Sequence, residues 1–289
     1  MIIKNFKKTI FKAVKEIYLF PNKFLLDRDN LNYKLISENW VKNISDIMRN
    51  EIEINKSDIL LYLKESKKDL IYNVNIEKTL SKKLQDQVLS VFTSKEVIDI
   101  VSKFQGNRVK FSNFTVKANF YNQNCPEEYG PRMWHRDNDS FFGQTKLFLV
   151  LNDINEHTGG LFYFIPQNKI DEFTKFKSSY KENDQYNKKD WNKRIKNMDI
   201  VETLKLKNSI IEYGKNKNEA LLIDTNETYH KGGYIKKENS IRYLLQVVFE
   251  PRFFSISQWN SLYSRNRLYK YLKIYLTKFK EILRNEIKL

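Results

Sequence analysis

Five short runs, apolar or rich in β-branched and aromatic residues and each closed by turn residues, constrain the fold most: VKFSNFTVKANFY (109–121), KLFLVLND (146–153), GGLFYFIP (159–166), ALLIDT (220–225) and IRYLLQVVFE (241–250). Runs of this length and composition read as β-strands. They do not alternate regularly with helices as the units of a parallel α/β sheet would, and no GxGxxG or P-loop sequence is present. The pattern predicts a sandwich or barrel.

Before Gly106 the periodicity is different. Leu35, Ile36, Trp40, Ile44 and Met48 recur at helical spacing, as do Leu80, Leu84, Val88 and Val91. Ser94 fits the N-cap of a further helix that Gly106 would close. Residues 167–208 are polar and rich in Lys and Asn, too long for a plain connection, and are expected to form a helical insertion or lid. From Arg267 a last apolar stripe predicts a C-terminal helix. With no repeat and no Pro/Gly/Ser linker, one domain is expected. It would comprise a helical region (1–106), a β core with its insertion (107–252) and a helical tail (253–289).

Composition narrows the class. Hydrophobic residues are 41% of the chain, enough for a sizeable core and against disorder. The lone cysteine, Cys125, excludes an internal disulfide and any CxxC metal site. The formal charge of +16 is spread over every segment and accompanied by Asn and Ile, which suits codon bias better than a nucleic-acid stripe. No specific nucleic-acid partner is expected. At the N-terminus Phe6, Ile10, Val14 and Ile17 alternate with lysines, which rules out the apolar stretch of a signal peptide. Such a helix is able to touch an anionic membrane, although packing on its own domain suits it better. A soluble, cytoplasmic protein is expected.

The three histidines differ in context. His135-x-Asp137, in MWHRDND, puts imidazole and carboxylate two residues apart, on one side of an extended chain. Two histidines and one carboxylate on one face of an iron ion form the facial triad of non-haem oxygenases, leaving positions open for a chelating co-substrate and O₂. Alone, an HxD is a weak signal. Its third partner is expected to be His230, where the run ALLIDTNETYH passes from an apolar strand into a polar turn. His157, in the turn NDINEHTGG, reads as a surface residue. Arg242 opens an apolar strand twelve residues after His230, where a guanidinium is costly unless paired, for example with a distal carboxylate.

Together, PRMWHRDNDSFFGQTKLFLVLNDINEHTGGLFYFIP and ALLIDTNETYHKGGYIKKENSIRYLLQVVF resemble the phytanoyl-CoA dioxygenase family over roughly residues 110–250. The resemblance implies an α+β protein with a double-stranded β-helix (jelly-roll, cupin-like) core. It implies Fe(II) held by His135, Asp137 and His230, and 2-oxoglutarate gripped by Arg242. A second contact to 2-oxoglutarate would come from the strand before the HxD or from Lys146. The expected activity is hydroxylation of a C–H bond in a small-molecule or lipid-like substrate, consuming O₂ and releasing succinate and CO₂. Asp137 favours hydroxylation over halogenation, because related halogenases lack this carboxylate. The chain departs from the family at Gln167-Asn168-Lys169 and at Gly160, where the family carries Gly-Ser-His and proline.

Other classes make different predictions. A non-redox metal-binding barrel would form no succinate. A nucleic-acid demethylase usually carries clustered arginines after the distal histidine, and here only Arg242 falls in that strand. A membrane-surface scaffold would bind vesicles through its basic N-terminal segment alone.

Overall fold

A computed structural model describes residues 32–66, 71–106, 108–137, 144–155, 157–165, 210–226 and 228–251. The expected N-terminal helix, the insertion or lid at 167–208 and the C-terminal helix lie outside the described residues.

Among the described residues, four α-helices precede the long strands: α1 (Asn39–Ile54), α2 (Lys56–Ser66), α3 (Lys82–Phe92) and α4 (Lys95–Gln105). On α1 the buried residues Val41, Ile44, Met48 and Ile52 follow three- and four-residue spacing, one stripe of a helix. Ser81 and Ser94 cap α3 and α4, accepting hydrogen bonds from the backbone N–H of Leu84 (3.3 Å) and Val97 (3.4 Å). Gly106 ends α4 in the left-handed conformation, φ 67°.

The described strands are β1 (Tyr33–Ile36), β2 (Asn73–Asn75), β3 (Val109–Phe120), β4 (Thr145–Val150), β5 (Phe162–Phe164), β6 (Ile211–Tyr213), β7 (Ala220–Asp224), β8 (His230–Gly232) and β9 (Ile241–Pro251). They form a six-stranded sheet, β1-β7-β4-β9-β3-β2, and a three-stranded sheet, β6-β5-β8, antiparallel at every pairing.

The region before Gly106 is therefore not wholly helical, as its periodicity suggested. Residues 33–36 pair with β7, and 73–75 with β3. Ile36 is buried while its neighbour Leu35 is 42% exposed, the alternation of a strand. A run of four residues carries too little periodicity to separate strand from helix, and its pairing partner decides. Strands β6 and β8 are three residues each, too short to register as patterns.

Parity along the large sheet sorts the side chains into two layers. Leu147 and Leu149 of β4, Leu222 of β7 and Leu245 and Val247 of β9 face the helices, joining Ile44, Val88 and Phe92 in one apolar cluster. Phe148, Val150, Leu221, Ile223 and Leu244 point the other way and pack on Leu161 and on Phe162, Phe164 and Tyr213 of the small sheet. All six residues of β4 are buried, which is why its sequence TKLFLV shows no polar face. The architecture is α+β: helices cover one face of an antiparallel sheet, and a second sheet covers the other. Among the described residues, no helix is long and apolar enough to cross a membrane.

Candidate metal centre

The space between the two sheets is where the polar residues gather. His135 and His230 form an isolated antiparallel bridge, each backbone N–H donating to the other's carbonyl at 3.0 and 2.9 Å. Directly paired residues on antiparallel backbone project to the same side, so this bridge sets the two imidazoles together, with ring centroids 4.4 Å apart. The Asp137 N–H donates to the Thr225 carbonyl at 2.9 Å, fixing the carboxylate at the end of β7. Ligand-type atoms of His135, Asp137 and His230 all lie within 4.8 Å of one another.

Each imidazole is oriented by its backbone. His135 Nδ1 lies 2.8 Å from the Met133 carbonyl and His230 Nδ1 3.0 Å from the Thr228 carbonyl. A carbonyl only accepts, so each Nδ1 carries the proton and each Nε2 presents a lone pair. Those Nε2 atoms stand 3.6 and 3.7 Å from the Asp137 oxygens. That is too long for hydrogen bonds, yet close enough for one ion with bonds of about 2.0–2.2 Å to bridge either imidazole to the carboxylate. The donor set of two neutral imidazoles and one carboxylate suits a divalent transition metal such as Fe(II).

Electrostatics keep the carboxylate ionised. Burial alone would raise the Asp137 pKa, but His230, Lys146 and His135 around it hold it well below the usual carboxylate range. Lys146, 6% exposed, donates from Nζ to Asp137 Oδ2 at 2.7 Å. Its ammonium is engaged with this carboxylate in this arrangement.

Arg242 lines the same cavity, about 340 Å³ in volume. It is 5% exposed. Nε donates to Asn119 Oδ1 at 2.9 Å, Nη2 bonds the same oxygen, and Nη1 bonds the Gly160 carbonyl. Burial brings its pKa down to about 10, still cationic at neutral pH. Register explains its company: Asn119 lies opposite Arg242, and Lys117 opposite Leu244. Lys117 Nζ donates to Gln246 Oε1 at 3.1 Å. Burial, and then the nearby Lys146 charge, depress the Lys117 pKa. Phe148, Phe162 and Leu244 form the apolar wall, Phe162 stacking on His230 at 5.8 Å.

His230, expected in a turn, sits instead at the start of strand β8, paired with Phe164 of β5. His157 is exposed in its turn and outside the cluster. Sequence reasoning missed Lys117, Asn119, Arg132 and Gln246. Lys117 and Asn119 did not stand out, because half of the residues of β3 are polar. Gln246 shares the parity of Arg242. Arg132 left no trace, because its placement depends on the turn before His135.

Gly160, where the resembled family has proline, has φ +87°, which proline cannot adopt. Its neighbour Gly159 has φ +75°, and a Cβ there would meet the Tyr234 carbonyl oxygen at 2.1 Å. Gly159→Ala is therefore expected to destabilise the protein by about 1–3 kcal/mol. Denaturant unfolding would measure this, and an unchanged midpoint would contradict the turn geometry.

No family model matches the sequence, and no curated protein matches it. Solved structures similar to this chain include EctD from S. alaskensis with 2-oxoglutarate and 5-hydroxyectoine, at 12% identity and TM-score 0.46, covering 77% of this chain and 73% of that one. The epimerase SnoN in complex with Fe³⁺, α-ketoglutarate and nogalamycin RO overlaps at 9% identity and TM-score 0.45, with 83% and 82% covered. HygX from Streptomyces hygroscopicus, with nickel, 2-oxoglutarate and hygromycin B bound, overlaps at 11% and 0.42, with 78% and 86% covered. These overlaps are loose, and the functional reading rests on the site itself.

Proposed function

We propose that the protein is an Fe(II)- and 2-oxoglutarate-dependent oxygenase of the phytanoyl-CoA dioxygenase type with a double-stranded β-helix core. It would hydroxylate a C–H bond of a small-molecule or lipid-like substrate. The observation that carries this reading is the convergence of His135, Asp137 and His230, with both Nε2 lone pairs turned toward one carboxylate.

Iron(II) with 2-oxoglutarate and O₂ supplies the oxidising power for an unactivated C–H bond. The chain does the rest. His135, Asp137 and His230 hold the metal by one side, and Lys146 keeps Asp137 ionised and aimed. Arg242, held by Asn119 and the Gly160 carbonyl, receives the distal carboxylate of 2-oxoglutarate as a planar fork. Phe148, Phe162 and Leu244 exclude water from the reacting face.

Protein reconstituted with Fe(II) under anaerobic conditions, then given 2-oxoglutarate and O₂, is expected to form succinate. Substrate should accelerate this, and the Asp137→Ala variant should abolish it. If no succinate forms and the Mn(II)-loaded protein does not bind 2-oxoglutarate, the reading fails and a non-redox metal site replaces it.

A further inference from the structure

We propose that the substrate entering this pocket carries an anionic group, a carboxylate or phosphate, received by the Arg132 guanidinium. This rests on the oxygenase reading above and deepens it by naming a substrate class.

Arg132 ends the short 3₁₀ turn Gly130–Arg132, three residues before His135, and is 4% exposed. Its guanidinium lies over the Tyr72 ring, 4.0 Å from the centroid, and 4.9 Å from that of Tyr234, so the plane is held in place. Nη2 donates to Cys125 Sγ at 2.5 Å, a weak acceptor. Nε is buried with no hydrogen-bond partner. Among the described residues, no carboxylate is ion-paired with Arg132. Its direct contacts are neutral, although Glu127 and Glu212 share the adjoining cavity, and a buried guanidinium with an open donor has room for an anion.

Its position suits a substrate anchor. Arg132 and Gly232 line both the metal cavity and a neighbouring cavity of about 390 Å³, which Tyr163, Lys231 and Tyr234 also line. A molecule spanning the two would pass Arg132 on its way to the metal.

Charge balance points the same way. Lys146 offsets Asp137. A divalent metal and the 2-oxoglutarate dianion cancel. Arg132, Arg242 and Lys117 then remain as cations whose hydrogen-bond partners within the chain are neutral. An uncompensated buried charge is costly, and an anionic substrate would relieve it.

The test uses Mn(II)-loaded protein saturated with 2-oxoglutarate and titrated calorimetrically with phenylacetate, phenyl phosphate and neutral phenylacetamide. At least one anion is expected to bind about tenfold or more tightly than the amide, and the two anionic arms show which group is preferred. Arg132→Gln should erase that preference while Mn(II) and 2-oxoglutarate bind as before, and Arg132→Lys should restore part of it. The wild-type comparison stands even if the glutamine variant fails to fold. Equal binding of all three probes, or no binding of either anion, would overturn the proposal. So would a preference surviving in Arg132→Gln, or loss of 2-oxoglutarate binding in that variant, which would make Arg132 a co-substrate residue. Failure of the wild type to bind Mn(II) and 2-oxoglutarate, measured before any probe is added, would instead defeat the oxygenase reading and this proposal with it.

Discussion

Replacing His135, Asp137 or His230 by alanine, one at a time, should weaken Fe(II) or Mn(II) binding by more than about 100-fold. Losing a residue that merely orients a ligand already costs about 10–100-fold, and these three would be the ligands themselves. Asp137 should show the largest loss. It is the lone anion of the cluster, and without it the Lys146 ammonium, now 2.7 Å from its carboxylate, would face the incoming cation without that counter-charge. Metal titration of each variant measures the effect, with circular dichroism to show that the fold persists. Wild-type affinity in any of the three would remove that residue from the metal centre. An exposed His157→Ala control, outside the cluster, should bind metal like the wild type.

Arg242→Lys should raise the dissociation constant for 2-oxoglutarate about 10–100-fold and leave metal affinity nearly unchanged. A lysine keeps the charge but not the planar fork. Hydrogen bonds to charged groups contribute about 1.5–3 kcal/mol, which converts to that range. The lysine would also leave Asn119 Oδ1 and the Gly160 carbonyl short of the donors they have now. Titration of Mn(II)-loaded protein with 2-oxoglutarate separates the two affinities. Unchanged 2-oxoglutarate binding would exclude Arg242 from the co-substrate site.

Much of the site was legible because its residue types are rare in the chain. With three histidines, the spacing His135-x-Asp137 and the strand-flanked His230 could be weighed one by one. Arg242 stood out as a charge in an apolar strand. The longer strands were legible from composition: β3 and β9 are rich in β-branched and aromatic residues, and β4 and β7 are short apolar runs. The helices announced themselves through stripes such as Val41, Ile44, Met48 and Ile52, and through Ser94 and Gly106 at the ends of α4.

What stayed hidden was short or relational. Strands β1, β2, β6 and β8 have three or four residues, and they exist because a neighbouring edge offers hydrogen bonds, information that lies in the partner. Lys146 could be placed on a strand from its sequence, but that its ammonium meets Asp137 depends on how β4 lies beside the turn carrying the HxD. The local sequence determined which segments become strands or helices and which side chains have chemistry to offer, because backbone preference and side-chain periodicity act over a few residues. Tertiary structure alone decided that His135 hydrogen-bonds His230 across 95 positions of chain, and that Asn119 faces Arg242 across 123. Register between distant strands is set by packing both faces of the sheet at once, and no single segment contains that constraint.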